Sequence, residues 1–195
     1  MIHRLQPAGA PHGLQVAVAE GADDMRRGLA TRELDRLIAA LLPDRSIVRL
    51  AGGRPAVGGR DDLHVSLSHA AGATALAVAP LPVGLDVECV DPELDALAID
   101  PDLFGPRDFA FLQEQPKTAR VEHFYRLWTL KEARLKRFGR SLVDSALPDI
   151  LTDDGRIGTD MSTTWLTTAS KRYCVGLCWG AAVAPSPVLA SANCW

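Results

Sequence analysis

Val83-Gly84-Leu85-Asp86-Val87-Glu88 reads as a strand with two unlike faces. Side chains alternate across a strand, so Val83, Leu85 and Val87 point one way and Asp86 and Glu88 the other. The apolar set predicts a buried face. The acidic set places two carboxylates side by side, which repel unless a cation or proton lies between them. A strand face bathed in water is the alternative reading of the same pair.

Downstream, the strongest helical pattern of the chain covers 121–138 and closes at Gly139. Val121, Phe124, Leu127, Leu135 and Phe138 form its apolar stripe. Within it, Trp128-Thr129-Leu130-Lys131-Glu132-Ala133-Arg134-Leu135-Lys136 spaces Trp128, Glu132 and Lys136 by four, so the three stack on one helix face. Glu132 and Lys136 could be a surface pair worth ~0.2–0.5 kcal/mol. They could equally bring a third carboxylate and a cation to Asp86 and Glu88. Three carboxylates without thiolate or imidazole suit a hard cation such as Mg²⁺, which keeps waters and is completed by phosphate oxygens.

Upstream, His64-Val65-Ser66-Leu67-Ser68-His69 alternates polar and apolar as a half-buried strand does, and 73–79 is its small-residue neighbour. Residues 52–59 (Gly-Gly-Arg-Pro-Ala-Val-Gly-Gly) predict a loop. Leu34, Leu37, Ile38 and Leu41 predict a helix over 24–42, stopped by Pro43. Strands are expected at 14–19, 47–50, 83–90, 165–168 and 173–182, a short helix at 103–113, and a turn at Gly155. The outline is α+β. Its halves carry similar amounts of helix and strand, so two related lobes are expected: 1–82 and 83–183, with 184–195 a flexible tail.

The chain has 195 residues, 47% hydrophobic and 23% charged, an ordinary globular composition. Its net charge of −3 argues against a nucleic-acid coat. No apolar run approaches the ~20 residues of a membrane span, and residues 1–13 show no signal-peptide core. A soluble cytoplasmic monomer is expected, with Cys89, Cys174, Cys178 and Cys194 as reduced thiols. Charge is local: 86–114 holds nine acidic residues and one basic, whereas 117–140 holds eight basic and two acidic. The pattern fits two solvated faces, or an anionic ligand or acidic partner beside a carboxylate-bound cation.

The 83–88 and 128–136 motifs, about forty residues apart, together resemble the 4′-phosphopantetheinyl transferase superfamily, in its long, pseudo-dimeric type that activates non-ribosomal peptide and polyketide synthases. Gly53-Arg54-Pro55 and Leu67-Ser68-His69 agree with it. The resemblance implies two lobes, each a small antiparallel sheet packed with helices, related by pseudo-twofold symmetry. It implies Mg²⁺-dependent transfer of the phosphopantetheinyl arm of coenzyme A to a serine of an acyl or peptidyl carrier protein, releasing adenosine 3′,5′-bisphosphate, in secondary-metabolite or siderophore biosynthesis. By the same resemblance Asp86, Glu88 and Glu132 are metal carboxylates, and Glu132 is also a candidate general base; the sequence leaves open whether it serves as ligand, base or both. Lys136 lies near the pyrophosphate, joined by Lys131, and Ser68 is a pyrophosphate contact. Arg54 and His69 hold the 3′-phosphate and adenine end, and Arg32 is a further basic contact. Part of 117–140 becomes a docking face for acidic carriers. Arg107-Asp108 departs from the family where a glutamate is common, and Ala70 where a serine is frequent. Two readings from other classes stand beside it: a non-catalytic module binding coenzyme A or a carrier protein, and a Mg²⁺-dependent phosphohydrolase.

Overall fold

The computed structural model describes residues 1–21, 27–50, 53–140 and 149–180. In chain order the elements are β1 (Ile2–Leu5), β2 (Gln15–Glu20), α1 (Arg27–Leu41), β3 (Ile47–Arg49), β4 (Pro55–Val57), β5 (His64–Ala70), β6 (Ala73–Ala79), β7 (Val83–Cys89), α2 (Pro101–Phe104), α3 (Pro106–Glu114), α4 (Lys117–Arg137), β8 (Met161–Thr167) and β9 (Arg172–Trp179). All pairings are antiparallel. One sheet runs β1-β2-β6-β5, a second β7-β9-β8, and β3 and β4 form a separate ribbon. The architecture is α+β, as expected.

Alternation explains the layering. In β2, Ala17 and Ala19 join Leu76 and Val78 of β6 beneath Leu37 and Leu41 of α1. The residues between them, Val16, Val18, Ala75 and Ala77, face the second sheet and pack against Val83, Leu85 and Val87 of β7 and Val175 and Leu177 of β9. Helix α4 covers the outer face of that second sheet. The order is therefore helix, sheet, sheet, helix. The apolar side of β7 is a sheet-on-sheet core, and its acidic side faces a helix.

Several boundaries differ from expectation. Strand β1 was not anticipated, because four residues of mixed polarity carry too little alternation to stand out. Residues Pro55–Val57 are strand rather than loop: they pair with β3, Ile47 opposite Val57. Gly52 lies outside the described residues, as do the first residues of the 24–42 helix, the end of the 173–182 strand and the 184–195 tail. The 103–113 helix is two helices, broken where Gly105 adopts φ 97° between Phe104 and Pro106. Helix α4 starts at Lys117, four residues early. Its stripe stops at Leu135, since Phe138 is 39% exposed. Gly155 does turn the chain, donating to the Thr152 carbonyl between the bridged residues Leu151 and Ile157. No described helix is long and apolar enough to cross a membrane.

Candidate functional site

A cleft of about 590 Å³ opens where β5, β7 and the end of α4 meet. Helix α4 reaches it because the sheet below has two glycines. A Cβ on Gly84 would lie 1.8 Å from the Ala133 carbonyl oxygen, and one on Gly176 would lie 2.5 Å from the Thr129 carbonyl carbon. With both side chains absent, the helix backbone rests on β7 and β9. Glu132 and Lys136, one turn apart, then hang over the strand face that carries Asp86 and Glu88.

The acidic face is not bathed in water. Asp86 is 3% exposed. Its Oδ1 accepts from Lys136 Nζ at 2.7 Å and from Ser68 Oγ at 2.8 Å, and Lys136 Nζ also donates to Ser68 Oγ at 2.9 Å. Lys136 thus makes an ion pair with Asp86 across 50 residues of chain. Asp86 Oδ2 is buried with no hydrogen-bond partner among the described residues. Burial, then the neighbouring Asp86 and Glu132 charges, push the Glu88 carboxyl up to about 7, against the pull of a Trp128 hydrogen bond and Lys136. Burial and Asp86 likewise raise Glu132, with Lys136 opposing.

With all three carboxylates ionised, one ammonium would leave an excess of two negative charges. Among the described residues no three His, Cys, Asp or Glu are already gathered into a metal cage. The donors nonetheless fit a hard divalent cation. All are carboxylate oxygens, one buried oxygen has no partner among the described residues, and the repulsion from Asp86 and Glu132 that adds to burial in raising Glu88 is what a cation relieves.

Basic side chains line the same cleft: Arg49, Arg54 and Arg140, with His69 beside them. Arg49 donates to the Gly53 carbonyl at 2.7 Å, bracing the turn that carries Arg54. Arg49 and Arg140 were not singled out from sequence. Arg49 and Arg54 flank a Gly-Gly pair, and a hairpin there brings both to one side. Arg140 follows the glycine that ends α4.

Seven of the residues expected at the site therefore share the cleft: Arg54, Ser68, His69, Asp86, Glu88, Glu132 and Lys136. Two do not. Arg32 is exposed on α1 and is not among the lining residues. Lys131 is fully buried and ion-paired with the equally buried Asp108, with its ammonium 4.8 Å from the Phe104 ring centre. Successive helix residues are ~100° apart, so Lys131 faces α2 and α3 while Glu132 faces the cleft. Asp108 also accepts from the Ile150 and Leu151 amides at 2.8 and 3.0 Å, which makes the pair a structural tie. Trp128 stacks on both Phe104 and Phe124, which also stack on each other, so its ring packs in the aromatic core.

The basic helix needs a similar correction. Arg120 donates to the carbonyls of Leu112, Gln113 and Gln115. Arg126 bonds Thr163 and Arg134 the Asp149 carbonyl, and Arg137 pairs with Asp160. Of the eight basic residues in 117–140, only Lys117 and Arg140 are classed as exposed, so the stretch is mostly internal structure. Cys89, Cys174 and Cys178 form no disulfide among the described residues, and burial pushes Cys174 up to about 12, which makes it a poor nucleophile.

The model of the 4′-phosphopantetheinyl transferase superfamily matches residues 82–178, the span that holds both motifs. A 4′-phosphopantetheinyl transferase of Bacillus subtilis is 29% identical over 111 residues, covering 56% of this chain and 49% of that protein. The 4′-phosphopantetheinyl transferase psf-1 of Bacillus pumilus is 34% identical over 124 residues, 61% of this chain and 52% of its own. The chain thus spans about half the length of these Bacillus relatives. The 4′-phosphopantetheinyl transferase AcpT of Salmonella typhi is 31% identical over 142 residues, 69% of this chain and 73% of that protein. On this last match, and on the match of the family model to the segment that carries Asp86, Glu88 and Glu132, the chain belongs to the 4′-phosphopantetheinyl transferase superfamily.

Proposed function

We propose that this protein transfers the 4′-phosphopantetheine arm of coenzyme A to a serine of acyl or peptidyl carrier proteins, releasing adenosine 3′,5′-bisphosphate. The observation that carries the reading is one cleft lined both by three carboxylates with Lys136 and by Arg49, Arg54, His69 and Arg140. A pyrophosphate linked to a second phosphate is a ligand whose charge runs along such a cleft.

Asp86, Glu88 and Glu132 would hold Mg²⁺, which when bound supplies charge neutralisation for a pyrophosphate. The remaining steps belong to the chain's own side chains. Arg54 and His69 bind the 3′-phosphate and the adenosine end by charge-assisted hydrogen bonds. Lys136 carries fixed positive charge to the carboxylates, where negative charge grows as the phosphorus–oxygen bond to the leaving group breaks. Glu132 accepts the proton of the carrier serine, whose oxygen forms the new bond to phosphorus. Burial and the neighbouring Asp86 raise its carboxyl, which makes it a better proton acceptor than an exposed glutamate. No covalent enzyme intermediate is required, and the buried Cys174 offers no nucleophile.

We further read the chain as two lobes, 1–82 and 83–183, related by a pseudo-twofold axis, working as a cytoplasmic monomer. Neither the binding-module nor the phosphohydrolase reading is favoured by a feature of the cleft. The deciding experiment is intact-mass measurement of apo carrier proteins incubated with this protein, coenzyme A and Mg²⁺. The carrier is expected to gain one phosphopantetheinyl group, and only with divalent metal present. Unchanged mass across a panel of peptidyl and acyl carriers overturns the proposal.

A further inference from the structure

We propose that Ser68 is a positioning residue for Asp86: its hydroxyl, together with Lys136, fixes Oδ1 so that Oδ2 alone is presented to a divalent cation. The inference rests on Asp86 being a cation ligand, as proposed above. It assigns Ser68 to the carboxylate rather than to the pyrophosphate.

The geometry is a closed triangle. Lys136 Nζ donates to both Ser68 Oγ and Asp86 Oδ1, at 2.9 and 2.7 Å, and the third side is the 2.8 Å contact between Ser68 Oγ and Asp86 Oδ1. An ammonium has three protons and accepts nothing, whereas a serine hydroxyl has one proton and two lone pairs. Ser68 therefore accepts from Lys136, and its single proton goes to Asp86. A pyrophosphate oxygen is also an acceptor, so Ser68 cannot donate to it without releasing Asp86. The hydroxyl is 6% exposed as part of its residue, on the sheet-facing side of β5, and is held there by the strand.

The neighbouring serine makes a parallel contact across the same edge. Two residues earlier on the same face, Ser66 Oγ accepts from the Leu85 amide at 2.9 Å. Alternate hydroxyls of β5 thus grip consecutive residues of β7, one by its backbone and one by its carboxylate. An unrestrained carboxylate exchanges its two oxygens by rotation about its terminal bond, which is broad and two-fold. Clamped at Oδ1 from two sides, Asp86 keeps Oδ2 as the buried oxygen with no partner among the described residues. Partners that orient a ligating carboxylate in this way commonly change metal affinity 10–100-fold when removed.

The test uses the full chain without coenzyme A and reads Mn²⁺ binding by electron paramagnetic resonance. Ser68→Ala is expected to weaken Mn²⁺ about tenfold or more. Ser68→Thr, which keeps the hydroxyl, is expected to stay within about threefold of wild type, and Ser68→Cys, a weak donor, to lose affinity. Ser66→Ala is the structural control: it loosens the same strand edge and is expected to leave Mn²⁺ affinity unchanged. If Ser68→Ala fails to fold, the Thr and Cys variants carry the comparison. Unchanged Mn²⁺ affinity in Ser68→Ala overturns the proposal. So does an equal loss in Ser66→Ala, a loss that threonine does not restore, or a wild-type protein that binds no Mn²⁺. Failure of the transferase reading shows elsewhere, as an unmodified carrier whatever the Mn²⁺ affinities.

Discussion

Gly84→Ala tests whether contact between sheet and helix sets the active geometry. The added Cβ would lie 1.8 Å from the Ala133 carbonyl oxygen and 2.6 Å from the Arg137 amide nitrogen. Both are helix backbone, so no flexible side chain can move aside. Non-bonded heavy atoms settle near ~3.5 Å, and α4 must withdraw by roughly 1.7 Å to reach that distance. The withdrawal lifts the segment between Ala133 and Arg137, on which Lys136 stands, and with it the neighbouring Glu132. The 2.7 Å contact between Lys136 and Asp86 is then lost. Overpacking of a close-fitted interior costs about 1–3 kcal/mol. In a chain of this size each kcal/mol is worth about 2–4 °C, so Tm should fall by about 2–12 °C. Displacing catalytic groups by ~1 Å can cost about 100-fold in rate, and turnover at saturating substrates should fall by at least that much. Calorimetry and the carrier-mass assay measure the two quantities on one preparation. Gly176→Ala meets the Thr129 backbone at 2.5 Å and should act alike. The double variant should be less than additive, because a helix already lifted no longer meets the second Cβ. Tm within 2 °C of wild type together with turnover within about threefold would refute the reasoning.

Two further expectations address the cleft. Arg54→Ala should weaken coenzyme A by about 10–100-fold, the loss of one charge-assisted hydrogen bond, and leave dephospho-coenzyme A nearly untouched; equal losses for both ligands by titration calorimetry would remove the 3′-phosphate from Arg54. The metal-free protein should lose thermal stability between pH 5 and pH 8. Glu88 sits at about 7 in the fold, above its ordinary value of 4.5, so its contribution is fully present below 4.5 and is lost as pH rises through 7. Since a cation needs the charged form, the rise in Tm on adding Mg²⁺ should grow over that interval. A metal-free Tm that rises from pH 5 to pH 8 would contradict the first statement, and a Mg²⁺-induced rise that shrinks over that interval the second.

What could be read from the chain alone follows the reach of each signal. Alternation in 83–88 and 64–69 gave strands, and in 83–88 the right apolar face, because the period of two is local and needs no partner to be seen. The four-residue spacing of Trp128, Glu132 and Lys136 put them on one helix face for the same reason. Lys131 shows where such reasoning stops. Charge and motif made it equivalent to Lys136, yet one sits in the cleft and the other pairs with Asp108 in the core. Only the side of α4 that meets the sheet separates them, and that was recorded in Gly84 and Gly176, whose information is the absence of a side chain. The basic run from Lys117 to Arg140 misled in the same way. Charge was counted without acceptors, and the acceptors are carbonyls of Leu112, Gln113, Gln115 and Asp149, which carry no sequence signature. The serines complete the case. Ser66 and Ser68 looked like the polar half of a half-buried strand, and both are buried at an edge where two sheets meet. A hydroxyl there has to find a partner. With β7 alongside, the nearest acceptor beyond the backbone is the carboxylate the cleft is built around, so burial itself turns a polar strand position into part of the site.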